Sequence, residues 1–333
     1  MINTDNNPYF LNSFLDYIET ILNKSPNTVK EYNYDLTNFL KFIQFHFHLT
    51  DEKDFNKIVI RNMSLDTIKK ITLNDLHAYL AYLTRNKNSK AATRSRKVSS
   101  IKTFFNYLTA KANLIEINPA QNLETPKLDK RIPKYLTLED SKKLLNTIST
   151  DEKNRNKERD YAMVTLFLNC GMRLSELVNI NISHINFEEK KLNVIGKGNK
   201  ERTIYLNDSC IDAINNYLKV RPHDKIKHDS KDALFLSERL ERISNRTVQM
   251  IVKNELMKAN LDTNKYSVHK LRHTAATLMY KYGKVDIRAL QELLGHETIA
   301  TTEIYTHVDN ELVREAVESN PLADPNKLKS KEK

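Results

Sequence analysis

Glycine is scarce in this chain: five in 333 residues, and none before Gly171. A stretch of that length with no residue built for φ > 0 turns excludes a fold rich in tight hairpins. It favours helices joined by polar loops. Cysteine is almost as rare. Cys170 and Cys210 are the only two, which excludes a disulfide scaffold and a cysteine-rich zinc site. No apolar run nears the roughly 18 residues that a membrane span requires. Met1 to Phe10 carries no basic-then-apolar leader pattern, so a cytoplasmic, nucleoid-associated protein is expected. Acid is missing locally as well. From His77 to Ile115 there is no Asp or Glu, while Arg85, Lys87, Lys90, Arg94, Arg96, Lys97, Lys102 and Lys111 all fall there. A one-signed stretch repels itself unless an anion neutralises it. With a formal net charge of +11, a polyanionic partner is expected, because each phosphate contact releases counterions.

The apolar residues that are present recur at helical spacing. Phe10, Leu11, Phe14, Leu15 and Ile18 define a helix within Pro8 to Asn23. Ser25-Pro26 reads as an N-cap with proline at the first helical position. The helix it opens turns Val29, Tyr32, Leu36, Phe39, Leu40 and Ile43 inward. His46 to Asn62 is charged and irregular, a loosely structured insertion. Thr72 with Asp75 forms a capping pair, and Lys90 to Ala110 is amphipathic through Val98, Ile101, Phe104, Phe105 and Leu108. Thr137 and Asp140 cap a helix over Leu138–Thr147, and another runs over Asp160–Asn169 up to Gly171. Leu192–Ile195 and Thr203–Leu206 alternate about Gly196-Lys197-Gly198-Asn199 as a β-hairpin. The fold class is therefore mainly α with a small antiparallel β-sheet. Residues 1–120 form a helical domain, the proline-punctuated basic 121–135 a linker, 136–322 a second domain and 323–333 a solvated tail.

His269 and Arg272 share a helical face and suit a phosphate. Arg173 and Glu176 also share one, so Glu176 could orient the arginine; the alternative is a surface ion pair of little energetic consequence. His269 and His273 have the spacing of a metal pair, but no carboxylate or cysteine accompanies them, so no metal site is expected.

Five segments in order carry a resemblance: Gly171-Met172-Arg173-Leu174-Ser175-Glu176-Leu177, Gly196-Lys197-Gly198-Asn199-Lys200-Glu201-Arg202, His269-Lys270-Leu271-Arg272-His273, Leu294-Gly295-His296 and Ile304-Tyr305-Thr306-His307-Val308. Together they resemble the tyrosine recombinase (phage integrase) family, and within it the Xer-type recombinases. Thr28, Tyr32, Asp35-Leu36 and Phe39 look like that family's core-binding domain. The resemblance implies a two-domain clamp around double-stranded DNA and strand breakage and rejoining through a 3′-phosphotyrosine on Tyr305. It implies that Arg173 and Arg272 hold the scissile phosphate, with Lys197 as general acid, His269 as general base, His296 on the phosphate and Glu176 as support. No cofactor is then needed. DNA contacts are expected from Lys87, Lys90, Arg94, Arg96, Lys97 and Lys102, from Lys127, Lys130 and Arg131 in the linker, and from Lys200 and Arg202 on the hairpin. The resemblance further implies a homotetramer, or a heterotetramer with a related recombinase, in which a helix at 310–319 passes between subunits. The rivals are a type IB topoisomerase, which shares the chemistry, and a DNA-binding regulator without activity.

Overall fold

The computed structural model describes residues 4–127, 134–196, 201–295, 298 and 302. The chain divides into two compact units, residues 1–130 and 131–333. No helix among the described residues is long and apolar enough to cross a membrane.

The first unit is helical throughout: α1 (Tyr9–Thr20), α2 (Pro26–His46), α3 (Leu65–Lys69), α4 (Leu73–Arg85) and α5 (Ala91–Ala110). The caps legible in the sequence form as side-chain hydrogen bonds. Ser25 Oγ accepts from the Thr28 amide, with Pro26 at the first helical position. Thr72 and Asp75 make both halves of a capping box. The helices converge on an aromatic centre. Phe14 meets Phe104 edge-on at 5.4 Å between centroids, and Phe39 meets Tyr79 at 5.3 Å, the geometry that ring quadrupoles favour. The stretch after α2 is irregular apart from one 3₁₀ turn at Phe55–Lys57, but it is not loose along its whole length. Ile58, Ile60 and Met63 are buried and pin its second half to the core.

Between α2 and α5 lies one buried carboxylate. Asp35, 1% exposed, accepts from Lys97 Nζ at 2.8 Å, from Arg96 Nη1 at 2.6 Å and from Ser100 Oγ at 2.9 Å. The acid-free stretch is thus partly neutralised by a carboxylate of its own unit.

The second unit comprises α6 (Leu138–Ser149), α7 (Lys157–Cys170), α8 (Leu174–Val178), β1 (Ile185–Asn186), β2 (Lys191–Ile195), β3 (Glu201–Tyr205), α9 (Asp208–Val220), α10 (Asn245–Lys258), α11 (Val268–Gly283) and α12 (Ile287–Leu294). α7 is its spine, with every residue from Ala162 to Leu168 buried. The strands pair antiparallel in the order β1-β2-β3, with Leu192 opposite Ile204 and Val194 opposite Arg202. The second hairpin strand starts two residues earlier than its alternation suggests. β1, two residues long, is too short to carry a periodic signal. Cys170 and Cys210 meet as buried free thiols, Sγ to Sγ 3.7 Å.

Candidate active site

α7 stops because Gly171 takes the left-handed conformation, φ 57°. The chain then runs extended through Arg173, which is the N-cap of α8 rather than part of it. Glu176, on the first turn, reaches back to the Arg173 amide at 2.7 Å and receives the Arg173 guanidinium at 2.8 Å. A second guanidinium arrives from β3: Arg202 donates to both Glu176 oxygens, at 3.2 and 2.8 Å. The Glu176 side chain is 0% exposed, so this is a buried cluster and the surface-pair reading is corrected. Burial alone would raise the carboxyl. The hydrogen bond and charge of Arg202, then the bonds from Arg173, outweigh it and hold Glu176 below the ordinary carboxylate range.

Arg272 stands on the second turn of α11 and is 4% exposed. It donates to the Gly171 carbonyl at 2.5 Å and to the Leu294 carbonyl at 2.6 Å. Arg173 donates to the Gly295 carbonyl at 2.5 Å, and Arg202 to the Leu293 carbonyl. Three consecutive carbonyls at the end of α12 therefore each hold a different arginine. A helix C-terminus leaves its last carbonyls unpaired and carries partial negative charge, so it is a natural shelf for guanidinium groups. Gly295 makes the packing possible. A Cβ there would sit 3.1 Å from Arg202 Cδ and 3.4 Å from Arg173 Nη1, on a backbone at φ +64°.

His269 is at the first turn of α11, one turn before Arg272. The protein packed around its ring, then the charges of Lys270 and Arg272, hold the imidazole below the ordinary histidine value. It is therefore neutral at neutral pH and able to accept a proton. His269 and His273 meet edge-on at 4.6 Å. Among the described residues no group of three His, Cys, Asp or Glu could hold a metal ion.

Arg173, His269 and Arg272 line one cleft of about 720 Å³. Among the described residues no carboxylate lines it. Its opposite wall is α10, which presents Asn245, Gln249 and Lys253. These three escaped the sequence reading, although their spacing of four residues marks one helical face. A phosphate backbone in this cleft meets the Lys253 ammonium as well as the guanidiniums. Lys253→Ala is expected to weaken DNA binding across sequences and to lower the slope of log K against log salt by about one. Retardation assays over a salt series measure this, and an unchanged slope removes Lys253 from the phosphate path.

Of the other expected site residues, Lys197, His296 and Tyr305 lie outside the described residues. So do Lys130, Arg131, Lys200 and the segment 310–319. In the first unit, Lys90 is exposed at the N-cap of α5, Lys127 is exposed, and Lys102 is partly covered. The Lys87 ammonium lies 5.1 Å from the Phe55 ring centroid. Arg94 is bonded to the Ser89 carbonyl, and Arg96 bridges Glu31 and Asp35. Two of the expected DNA contacts have partners inside their own unit: Lys97 is buried against Asp35, and Arg202 is bonded to Glu176 and to the Leu293 carbonyl.

The phage integrase family profile matches residues 134–311, and the profile of the phage integrase N-terminal SAM-like domain matches residues 10–112. The chain is 56% identical over 317 residues to "Tyrosine recombinase XerC" of Caldanaerobacter subterraneus subsp. tengcongensis, covering 95% of this chain and 88% of that one. It is 32% identical to "Tyrosine recombinase XerC" of Thermodesulfovibrio yellowstonii, covering 96% and 98%. The fold is shared with the XerH site-specific recombinase bound to palindromic difH substrate in a post-cleavage complex: TM-score 0.69 at 22% identity, covering 93% of this chain and 94% of that one.

Proposed function

Because the chain belongs to the phage integrase family and is a site-specific tyrosine recombinase of the Xer type, we propose the following division of labour within it. Arg173 and Arg272 hold the non-bridging oxygens of the scissile phosphate, meeting the charge that grows in the pentacoordinate transition state. Tyr305 attacks phosphorus in line. Its phenolic proton passes to neutral His269 as the Oη–P bond forms. The P–O5′ bond breaks, and the departing oxygen takes a proton from Lys197. His296 hydrogen-bonds the phosphate, and Glu176 supports Arg173. The phosphotyrosine conserves the phosphodiester energy, so a 5′-hydroxyl from the partner strand reverses the steps without ATP.

One observation carries this assignment: Arg173, His269 and Arg272, from two helix starts about a hundred residues apart in sequence, face a single cleft that no carboxylate among the described residues lines. The type IB topoisomerase reading is not favoured, since the relatives are recombinases over nearly their whole length. The working assembly is four protomers on two duplexes, alike or paired with a related recombinase, with the segment 310–319 passing between neighbours. Residues 1–120 and 136–322 then each contact the DNA, joined by 121–135. Of the roles open to such an enzyme, we assign it chromosome dimer resolution in the cytoplasm rather than integration of a mobile element.

The decisive experiment uses Tyr305→Phe on a nicked suicide substrate. The variant is expected to bind DNA with wild-type affinity and to form no covalent adduct by denaturing gel. Adduct at the wild-type rate would remove Tyr305 from the reaction.

A further inference from the structure

We propose that Arg202 is a positioning residue for cleavage, not a DNA contact: from β3 it fixes the Arg173–Glu176 pair and the end of α12 in one frame. The inference rests on the reading of Arg173 as a phosphate ligand.

Arg202 touches two segments that the chain separates widely. On one side it forks across Glu176, Nε to Oε1 at 3.2 Å and Nη2 to Oε2 at 2.8 Å. Glu176 in turn holds Arg173 by both amide and guanidinium. On the other side Arg202 holds the Leu293 carbonyl, one residue before the carbonyl that holds Arg272 and two before the one that holds Arg173. Its side chain is only 15% exposed. The planar fork is what this geometry demands. Two carboxylate oxygens and a carbonyl are engaged at once, which a lysine ammonium on a flexible stem does not reproduce. β3 pairs with β2, so the same side chain ties the β2–β3 pair to the arginine shelf.

A guanidinium spent in this way has little left for DNA. Its removal leaves Glu176 with Arg173 as its remaining ion-pair partner among the described residues, in a buried site. Burial then acts with less opposition, and the carboxyl rises from its lowered value. Once protonated, Glu176 holds Arg173 more weakly. The sign follows: in wild type Glu176 stays ionised as pH falls below the ordinary carboxylate range, whereas without Arg202 its anchoring is lost progressively on acidification.

The test uses the full chain and single-turnover adduct formation on a nicked suicide substrate, with DNA affinity over a salt series. Arg202→Met is expected to lower the adduct rate on the order of 10²-fold at saturating DNA, the scale of a small misplacement of a reacting group. Affinity should stay within about twofold and the salt slope should be unchanged, as befits a side chain with no phosphate contact. All variants lose rate as acid protonates His269; the Met variant should fall further than wild type towards acid pH, and adding Glu176→Gln should abolish that extra fall. Arg202→Lys, which keeps the charge, should restore the wild-type pH profile more fully than the rate, and it carries the test should the Met variant not fold. A salt slope lowered by about one with an unaltered adduct rate would make Arg202 a DNA contact and overturn the proposal. A pH profile parallel to wild type in both variants would do the same. Failure of wild type itself to form adduct would instead overturn the recombinase assignment.

Discussion

Arg272→Ala is expected to slow phosphotyrosine formation on the order of 10³-fold at saturating DNA, because a pre-aimed donor to transition-state charge is worth about 10²–10³ and an arginine on a transferring phosphoryl group more. Two losses combine. The phosphate loses a fixed positive charge, and the carbonyls of Gly171 and Leu294 lose the donor that spans them. A buried carbonyl left without a partner costs about 1–3 kcal/mol, so the variant should also melt lower than wild type. Arg272→Lys separates the two effects. It restores the charge but cannot bridge two carbonyls and a phosphate, so its rate should lie between alanine and wild type. Single-turnover adduct formation is the measurement. An alanine variant within tenfold of wild type would mean that Arg272 does not touch the reacting phosphate.

The backbone around Arg272 explains why this part of the site was only half legible in the sequence. His269 and Arg272 could be picked out because a histidine and an arginine one turn apart carry local chemistry, and Arg173 because its segment is one of the five that carry the family resemblance. The shelf that gathers the arginines could not. Its acceptors are the main-chain carbonyls of Leu293, Leu294 and Gly295, and a carbonyl is the same at every position of a sequence. Arg202 was read as a DNA contact for the same reason. A basic residue beside a hairpin looks free until a buried Glu176, 26 positions earlier, is found in front of it.

Caps were the most legible feature of the fold. Ser25, Thr72 and Thr137 each accept from an amide three residues on, and that contact is written in consecutive residues. The amphipathic helices followed for a similar reason, since a buried stripe repeats every turn. The α10 face went unread because Asn245, Gln249 and Lys253 are polar, and a polar stripe ordinarily means solvent. Only the cleft shows what they face. β1 depends wholly on pairing with β2, which no two-residue sequence encodes.

The charge of the first unit gives the other large effect. Asp35→Leu is expected to destabilise that unit by about 3–5 kcal/mol, the cost of breaking a buried ion pair and leaving one charge behind. Lys97 is the charge left. It is 5% exposed, its ammonium is 2.8 Å from Asp35, and the nearby Tyr34 ring, 5.2 Å away at its centroid, is a weak substitute for a carboxylate. Arg96 loses less, because it is exposed and keeps Glu31 at 2.7 Å. Against a domain stability of about 5–15 kcal/mol, this loss should appear as a large drop in the unit's denaturation midpoint. The double variant Asp35→Leu with Lys97→Met removes both charges and keeps apolar volume, so most of the stability should return. Equal losses in single and double variants would mean that the stranded ammonium is not the cause. The same double variant decides what Lys97 does for DNA. If its charge is satisfied inside the unit, the salt slope of binding stays at the wild-type value once the fold is restored. A slope lowered by about one would show that Lys97 leaves Asp35 to meet a phosphate. The acid-free stretch of α5 then divides into residues that hold the helix to α2 and residues that face outward, and Asp35 marks where one set ends.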